Sequence, residues 1–265
     1  MNKTQNCILM IFDEFKRICE KNKINYSVIG GSMIGAIRHK GFIPWDDDMD
    51  VALLRNDYNR FLEACEKDLD KSRFFLQHED NEKNYAFAFC KILLIGTSCL
   101  DDFSAGANVR NAIWLDVFPL DNLSDKNLLA YCTKKVNHLL KNAIWIKGGY
   151  GTDDQRKKTS YKVIRFISFP FKLSWLKKTR RRLITAHNNE HTERLFLSDY
   201  PNIIFKSDWF SDYRCYIFED EEVQGIFKYH EYLSSQYGDY MKLPPENERK
   251  GHQLHNISYG KYYNE

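Results

Sequence analysis

The stretch from Tyr26 to Leu54 constrains the fold of this chain more than any other. It begins with a short apolar run that ends at Gly30-Gly31, a pattern that predicts a strand followed by a tight turn. Ser32 is positioned to cap the helix that follows, and free amides at a helix N-terminus favour an anion. Arg38 and Lys40 add positive charge beside this turn, which we expect to approach a phosphate closely.

The same stretch carries four aspartates in five positions, Asp46, Asp47, Asp48 and Asp50, directly before an apolar run. Side chains alternate along a strand, so Asp46, Asp48 and Asp50 are predicted to share one face. Carboxylates spaced about 6–7 Å apart on one face can converge on a small, hard cation. The alternative is a solvated acidic turn. The metal site is favoured because the cluster borders both an apolar strand and a glycine turn.

Two other charged side chains lie inside predicted strands. Asp116 is the only charged residue of the run 113–118, and burying an unpaired carboxylate is costly. We expect it to complete the metal site, to accept the proton of an attacking hydroxyl, or to form a structural ion pair. Lys91 is the only charge of the run 85–95, and it either extends to the surface or holds a substrate phosphate. Asp121, just beyond its strand, is predicted to be a turn or capping residue.

Three blocks of the sequence resemble the signature of the LicD family of phosphocholine and related phosphotransferases. They are GGS at 30–32 with GAIRHKGFIPWDDDMDVAL at 35–53, WLDVFPLD at 114–121 and YGDYMKLPP at 237–245. The resemblance implies a nucleotidyltransferase-like fold whose site combines a Gly-Ser turn, an Asp-x-Asp pair and a third carboxylate on a neighbouring strand. In this chain the corresponding residues are Gly31-Ser32, Asp48 with Asp50, and Asp116.

The residues and the resemblance together predict a metal-dependent transferase. We expect it to move phosphocholine or a related phospho-alcohol from a CDP-linked donor to a hydroxyl of a saccharide or lipid-linked glycan, releasing CMP. The acceptor would be a cell-surface glycan such as lipopolysaccharide, teichoic acid or capsule. Mg²⁺ or Mn²⁺ is the predicted cofactor, and the predicted catalytic and metal-binding residues are Asp48, Asp50 and Asp116. The predicted substrate-binding residues are Gly30, Gly31, Ser32, Arg38, Lys40, Trp45 and Lys91.

Two alternatives to phosphocholine transfer stay open. The same site could transfer glycerol phosphate, ribitol phosphate or the nucleotidyl group itself. The second alternative is a non-catalytic protein that binds a glycan or a metal on a decayed transferase fold, and the intact acidic residues argue against it. If choline is the cargo, its quaternary ammonium requires an aromatic face, and Trp45 is the aromatic residue closest in sequence to the acidic cluster.

The predicted fold is α+β, a nucleotidyltransferase-like mixed β-sheet flanked by helices, with a helical C-terminal half. A chain of 265 residues with 43% hydrophobic content is large enough to bury a core. We expect a catalytic core at 1–123, a helical region at 124–199, and a C-terminal segment at 200–265 that packs back on the core.

Charge and cysteine usage limit the partners and the compartment. A net charge of +3 gives no case for nucleic acid, and seven cysteines without a Cys-x-x-Cys spacing indicate reduced thiols in a cytoplasmic protein. No apolar run reaches transmembrane length. Residues 163–182 mix aromatic side chains with Lys and Arg. They predict either a peripheral contact with an anionic membrane face or a charged acceptor, or else a core helix pair with a solvated basic end.

Overall fold

The computed structural model describes residues 1–249, 251 and 254–263 and has the predicted α+β fold. Its α-helices are α1 (Lys3–Asn22), α2 (Gly30–Ile34), α3 (Arg55–Asp68), α4 (Asn127–Gly148), α5 (Asp153–Lys157), α6 (Thr159–Ser168), α7 (Leu173–Ile184) and α8 (Tyr229–Tyr237). Its strands are β1 (Ser27–Val28), β2 (Asp50–Leu54), β3 (Phe74–Gln77), β4 (Cys90–Leu94), β5 (Ser98–Asp101), β6 (Trp114–Leu123), β7 (Arg194–Leu197), β8 (Ile204–Lys206), β9 (Tyr213–Phe218), β10 (Glu221–Ile226) and β11 (Leu254–Ser258).

Seven strands form one mixed sheet in the order β1-β2-β6-β4-β3, and β7 and β8 extend it beside β6. β2 and β6 run parallel, whereas the other pairs of this sheet are antiparallel. The parallel register sets Asp50 opposite Asp116. Two carboxylates that are far apart in the chain therefore lie side by side on neighbouring strands.

Strand β6 is the central element of the sheet. Its side chains are buried almost without interruption from Leu115 to Asp121, the pattern of a strand covered on both faces. Its first half pairs with β4 up to Val117, and its second half pairs with β7 from Leu120. Pro119 lacks an amide hydrogen and lies in the gap between these two partners, where a proline is tolerated.

The main core lies between the sheet and helices α1 and α3, which pack against each other and against β6. Ile8, Ile11, Phe15 and Ile18 recur at helical spacing on α1 and are buried. Phe15 contacts Phe61 of α3 with ring centroids 5.1 Å apart. Burial of this apolar face provides the main stabilisation of both helices and fixes the sheet beneath them.

A second, smaller cluster joins α4, α6 and α7 to the segment before β4. Ile144 and Leu176 are buried in it, and Ile164 and Leu173 pack around them. Phe87 contacts both this cluster and the main core. The helical region is therefore packed directly against the sheet.

The C-terminal half is helical over 127–184 and again at 229–237, but it is not helical throughout. Strands β7 to β10 occupy most of 194–226, and two of them belong to the main sheet. Alternating side chains of β7 enter the core, so this part of the chain adopts the strand period. Over the described part of the chain, none of the helices combines the length and the apolar character needed to span a membrane.

Candidate active site

The glycine turn lies at the end of β1, where the chain enters the short helix α2. Gly30 has φ +59°, a left-handed conformation that glycine adopts without strain. A Cβ on Gly31 would lie 2.7 Å from Asp46 Oδ2, so the absence of a side chain lets the acidic loop approach the turn. The predicted cap at Ser32 is wrong. Ser32 lies inside α2, and its Oγ accepts a hydrogen bond from the Asp50 amide at 2.9 Å.

The acidic cluster only partly adopts the predicted strand. β2 begins at Asp50, and Asp46 to Met49 form an irregular loop instead. Tertiary contacts hold this loop, because Met49 is fully buried and Gln5 Nε2 donates a hydrogen bond to the Asp46 carbonyl at 2.9 Å. The alternating pattern therefore does not set the positions of Asp46 and Asp48.

The three predicted acidic residues are nevertheless brought together. Asp48, Asp50 and Asp116 line one cavity of about 330 Å³, together with Gly30 and Gly31. This volume is within the range of small-molecule sites. The cavity lies at the parallel junction of β2 and β6, where the register places Asp50 beside Asp116.

The cavity has an unfavourable concentration of negative charge. Burial raises the pKa of Asp50 well above its usual range, and the carboxylates of Asp48, Asp116 and Asp46 raise it further, whereas Lys91 lowers it. Like charges held this close stabilise the neutral form of one of them unless a cation intervenes. The site therefore favours a positively charged occupant.

Lys91 belongs to this site and does not extend to the surface. It lies opposite Asp116 in the register of β4 and β6, and its Nζ is 3.1 Å from Asp116 Oδ1. The ammonium also lies 4.1 Å from the ring centroid of Trp114, whose Nε1 donates to Asp116 Oδ2 at 3.1 Å. Lys91 therefore lines the cavity, and its role in holding a substrate phosphate stays a prediction.

The donor set fits a divalent cation by its chemistry. Carboxylate oxygens are the preferred ligands of Mg²⁺, and a cation would relieve the repulsion that raises the pKa of Asp50. Among the described residues, no group of three or more His, Cys, Asp or Glu side chains is already arranged to hold a metal ion. Here Asp116 is oriented towards Lys91 and Trp114. The metal site therefore stays a prediction.

Besides Ser32, three predicted substrate-binding residues lie outside the cavity wall. Arg38 Nη1 donates to the Tyr240 carbonyl at 2.6 Å, so it ties the C-terminal segment to the end of the first motif. Lys40 adopts φ +60° at the end of the π-helical turn that follows α2. Trp45 packs edge-on against His39 with ring centroids 6.4 Å apart. None of the three has a side chain placed to contact an occupant of the cavity.

An aromatic wall completes the cavity, and the sequence left open which aromatic residues form it. Its members are Phe87, Phe89, Trp114, Phe118, Tyr200, Tyr232 and Tyr237. The Tyr232 hydroxyl accepts a hydrogen bond from the Gly30 amide at 2.9 Å, which connects α8 to the glycine turn. Burial and then Asp50, Asp46 and Asp48 raise the pKa of Tyr237. Tyr237 is the first residue of the block YGDYMKLPP, so the family resemblance pointed to it. Tyr200 lies in none of the three blocks.

The fold and the cavity place this protein among those in which acidic side chains of a mixed sheet lie beside a glycine turn. Residues 23–124 match the family model described as LicD/FKTN/FKRP, nucleotidyltransferase domain. This range contains the glycine turn, the acidic loop, Lys91 and Asp116. The resemblance to the LicD family is thus confirmed over residues 23–124.

Similarity to individual proteins extends beyond this domain. The chain is 29% identical, over 265 residues and 96% of each chain, to the lipopolysaccharide cholinephosphotransferase LicD of Haemophilus influenzae. It is 27% identical to an uncharacterized protein of Rickettsia typhi over 96 residues, which are 36% of this chain and 28% of that one. A second uncharacterized protein, from Rickettsia prowazekii, is 34% identical over 50 residues, 19% of each chain.

Proposed function

We propose that this protein is a transferase that moves phosphocholine, or a related phospho-alcohol, from a CDP-linked donor to a saccharide hydroxyl of a cell-surface glycan, releasing CMP. The observation that carries the proposal is the register that sets Asp50 beside Asp116 in a cavity shared with Asp48. The similarity over 96% of the chain to a lipopolysaccharide cholinephosphotransferase supports the choice of cargo and acceptor. The seven cysteines are free thiols, which supports a cytoplasmic location.

In this proposal Asp48, Asp50 and Asp116 would hold Mg²⁺ or Mn²⁺, and the ion would supply positive charge to neutralise the pyrophosphate of the donor. Gly30 and Gly31 let a phosphate approach the backbone closely, because no Cβ shields them. Lys91 presents its ammonium to the transferred phosphoryl group from the opposite wall.

The acceptor hydroxyl has to lose a proton in this reaction. Asp116 is the proposed general base, because its carboxylate is nine-tenths buried and still borders the cavity. Trp114 orients this carboxylate through the hydrogen bond from its Nε1. Because this bond engages Oδ2, it limits the rotation of the carboxylate.

The aromatic wall is suited to a quaternary ammonium. Cations are attracted to the faces of aromatic rings within about 6 Å, and Trp binds them best. Lys91 already occupies such a position, with Nζ 4.1 Å from the Trp114 centroid and 5.7 Å from that of Phe89. Because Lys91 lies against Trp114 and Phe89, other rings of the wall, such as Tyr200 and Tyr237, replace Trp45 as the proposed contacts for the head group of the cargo.

A donor screen tests the proposal. Purified protein is incubated with CDP-choline, CDP-glycerol or CDP-ribitol and a saccharide acceptor, and CMP release is measured. We expect release with CDP-choline. A preference for CDP-glycerol or CDP-ribitol would establish one of the alternative cargoes. Nucleotidyl transfer would attach CMP to the acceptor instead of releasing it. Absence of any transfer with all three donors would favour a non-catalytic binding protein.

Metal binding is tested separately by calorimetry with Mn²⁺. We expect Asp48→Asn to weaken Mn²⁺ binding at least about tenfold, because it removes one carboxylate ligand. Asp47→Asn is the matched control: it makes the same change in charge in the same loop, but Asp47 does not line the cavity. Equal affinities for wild type and Asp48→Asn, or equal losses in the two variants, would remove Asp48 from the ligand set.

A further inference from the structure

The segment 155–189 has a charge pattern unlike the rest of the chain. It contains eleven Lys and Arg residues and no Asp or Glu. It forms α6, a short turn and α7, and we call residues 159–184 the basic hairpin. The sequence left two possibilities for this region, a membrane or charged-acceptor contact and a core helix pair with a solvated basic end.

One side of the basic hairpin is fixed firmly to the body of the protein. Leu176 and Ile184 are buried, and Arg180 is buried in an ion pair with Asp199 at 3.0 Å. Arg180 Nε also donates to Asn137 of α4 at 2.9 Å. These contacts give the hairpin a definite orientation, because a buried ion pair requires specific geometry. The core-helix interpretation therefore holds for this inner side.

The opposite side carries large apolar side chains in water. Phe166 is 82% exposed, Phe169 81% and Ile167 62%. Phe171 and Trp175 are also exposed, and their rings stack at 4.9 Å with an interplanar angle of 17°. Contiguous exposed apolar surface of this kind marks an interaction site. These five residues surround the turn between α6 and α7, and we call them the aromatic tip.

Basic side chains surround the aromatic tip. They are exposed on both helices and in the turn, and comprise Lys162, Arg165, Lys172, Lys178 and Arg182. Aromatic residues beside a cluster of Lys and Arg form the composition of segments that lie in the interface of an anionic bilayer. A second copy docked tip to tip would bring two sets of like charges together, which is unfavourable.

We propose that the basic hairpin docks on an anionic lipid bilayer, with the aromatic tip inserted among the headgroups and the surrounding Lys and Arg paired with lipid phosphates. This inference goes beyond the proposed function and does not depend on it. Phe87 lines the cavity and also packs against Trp145 in the helical cluster, with ring centroids 6.0 Å apart. The docking element and the cavity therefore share one packed support.

Co-sedimentation of the full chain with vesicles tests the inference. We expect wild type to bind vesicles of phosphatidylcholine with phosphatidylglycerol, to bind pure phosphatidylcholine more weakly, and to be released by high salt. The double variant Phe166→Ser/Phe169→Ser should lose at least about tenfold in partitioning, because it removes two aromatic anchors. The control Ile217→Ser/Leu243→Ser changes two exposed apolar residues outside the hairpin and should bind like wild type.

Trp175 provides a second, direct readout. Brominated lipids should quench part of the tryptophan fluorescence of wild type, because quenching requires contact with the acyl region. Trp175→Phe should abolish this quenching and still co-sediment with vesicles. Phe166→Ser/Phe169→Ser and Trp175→Phe should both keep the circular dichroism spectrum of wild type and its rate of CMP release with a water-soluble acceptor.

Three results would overturn the inference. The first is failure of wild type to bind anionic vesicles. The second is an equal loss of binding in the control and in the tip variant. The third is a wild-type protein that does not bind vesicles and elutes as a dimer in size-exclusion chromatography, while the tip variants elute as monomers. The aromatic tip would then be a protein interface.

Discussion

The two halves of strand β6 each bury one aspartate, and they surround it in opposite ways. Asp121 is fully buried, and Arg55 donates to both of its oxygens at 2.7 Å. Asn188 Nδ2 adds a third hydrogen bond at 2.7 Å. Asp116 instead lies beside Asp50, and its neighbours Lys91 and Trp114 border an open cavity.

The difference separates a carboxylate that holds the fold from one that is available for chemistry. Five positions separate the two residues, so the strand alternation points them to opposite faces of the sheet. On one face a bidentate arginine satisfies the charge, which is the strongest form of such a pair. On the other face burial, and then neighbouring carboxylates, raise the pKa of Asp50. A site of this kind gives up stability in order to bind a cation.

The largest expected effect comes from Asp121→Ala. It leaves the guanidinium of Arg55 without its buried carboxylate, so we expect a loss of about 3–5 kcal/mol in the free energy of unfolding, measured by urea titration. Asp125→Ala is the control, because Asp125 is exposed and its ion pair with Arg194 is longer, at 3.6 Å. A similar, small loss in both variants would contradict the structural role of Asp121.

Asp116→Asn should affect catalysis more than stability. We expect CMP release to fall about 10²- to 10³-fold, equivalent to about 3–4 kcal/mol, because the variant removes both a metal ligand and the proposed base. Its loss of unfolding free energy should be smaller than that of Asp121→Ala, since the repulsion with Asp50 is relieved at the same time. Full activity would exclude Asp116 from the mechanism.

Lys91→Met tests whether added metal stabilises the Asp116 end of β6 and not the Asp121 end. It removes the cation next to Asp116, so we expect a loss of about 1–2 kcal/mol in stability. Added Mn²⁺ should restore the thermal midpoint of this variant, because the ion replaces the missing positive charge. Arg55→Met serves as the comparison: its cavity residues are intact, so Mn²⁺ should raise its midpoint only as much as it raises that of wild type. A response of Lys91→Met no larger than that of Arg55→Met would contradict the replacement of the missing charge by the ion.

The smallest effect is a gain of stability in Asp50→Asn. Without divalent ions we expect a gain of about 1 kcal/mol, because the neutral amide avoids the burial of a charge and the repulsion by neighbouring carboxylates, which together raise the pKa of Asp50. The gain should be largest above the folded-state pKa, where the wild-type carboxylate is ionised. It should vanish below the unfolded-state pKa, where both side chains are neutral. Urea titrations at several pH values check this, and a loss of stability at high pH would contradict it.

Local sequence patterns predicted several elements well. The strands predicted before Gly30, within 85–95 and within 113–118 correspond to β1, β4 and β6. The convergence of Asp48 and Asp50 with Asp116 was expected from the family resemblance, and the register between β2 and β6 accounts for it physically. Periodicity alone gives no register between strands that are sixty residues apart in the chain.

The errors share one physical origin, namely contacts between distant segments. Asp121 was predicted to be a turn residue, and it lies inside β6 because β7 extends the sheet there and Arg55 neutralises its charge. Ser32 resembles a helix cap, but the Asp50 amide uses its hydroxyl. The members of the aromatic wall could not be assigned from the sequence, because Tyr200 and Tyr232 reach the cavity from distant segments and no local pattern shows which aromatic residues do so.

The contribution of the C-terminal segment to the cavity has a consequence for exchanging parts between relatives. The family domain ends at residue 124, yet Leu197, Tyr200, Ile203, Tyr232 and Tyr237 all lie in the wall of the cavity. A chimera that joined this domain to the later part of another family member would therefore keep the acidic residues and inherit a foreign set of rings. Reaction chemistry would follow the donor of the first part, and preference among head groups would follow the donor of the second.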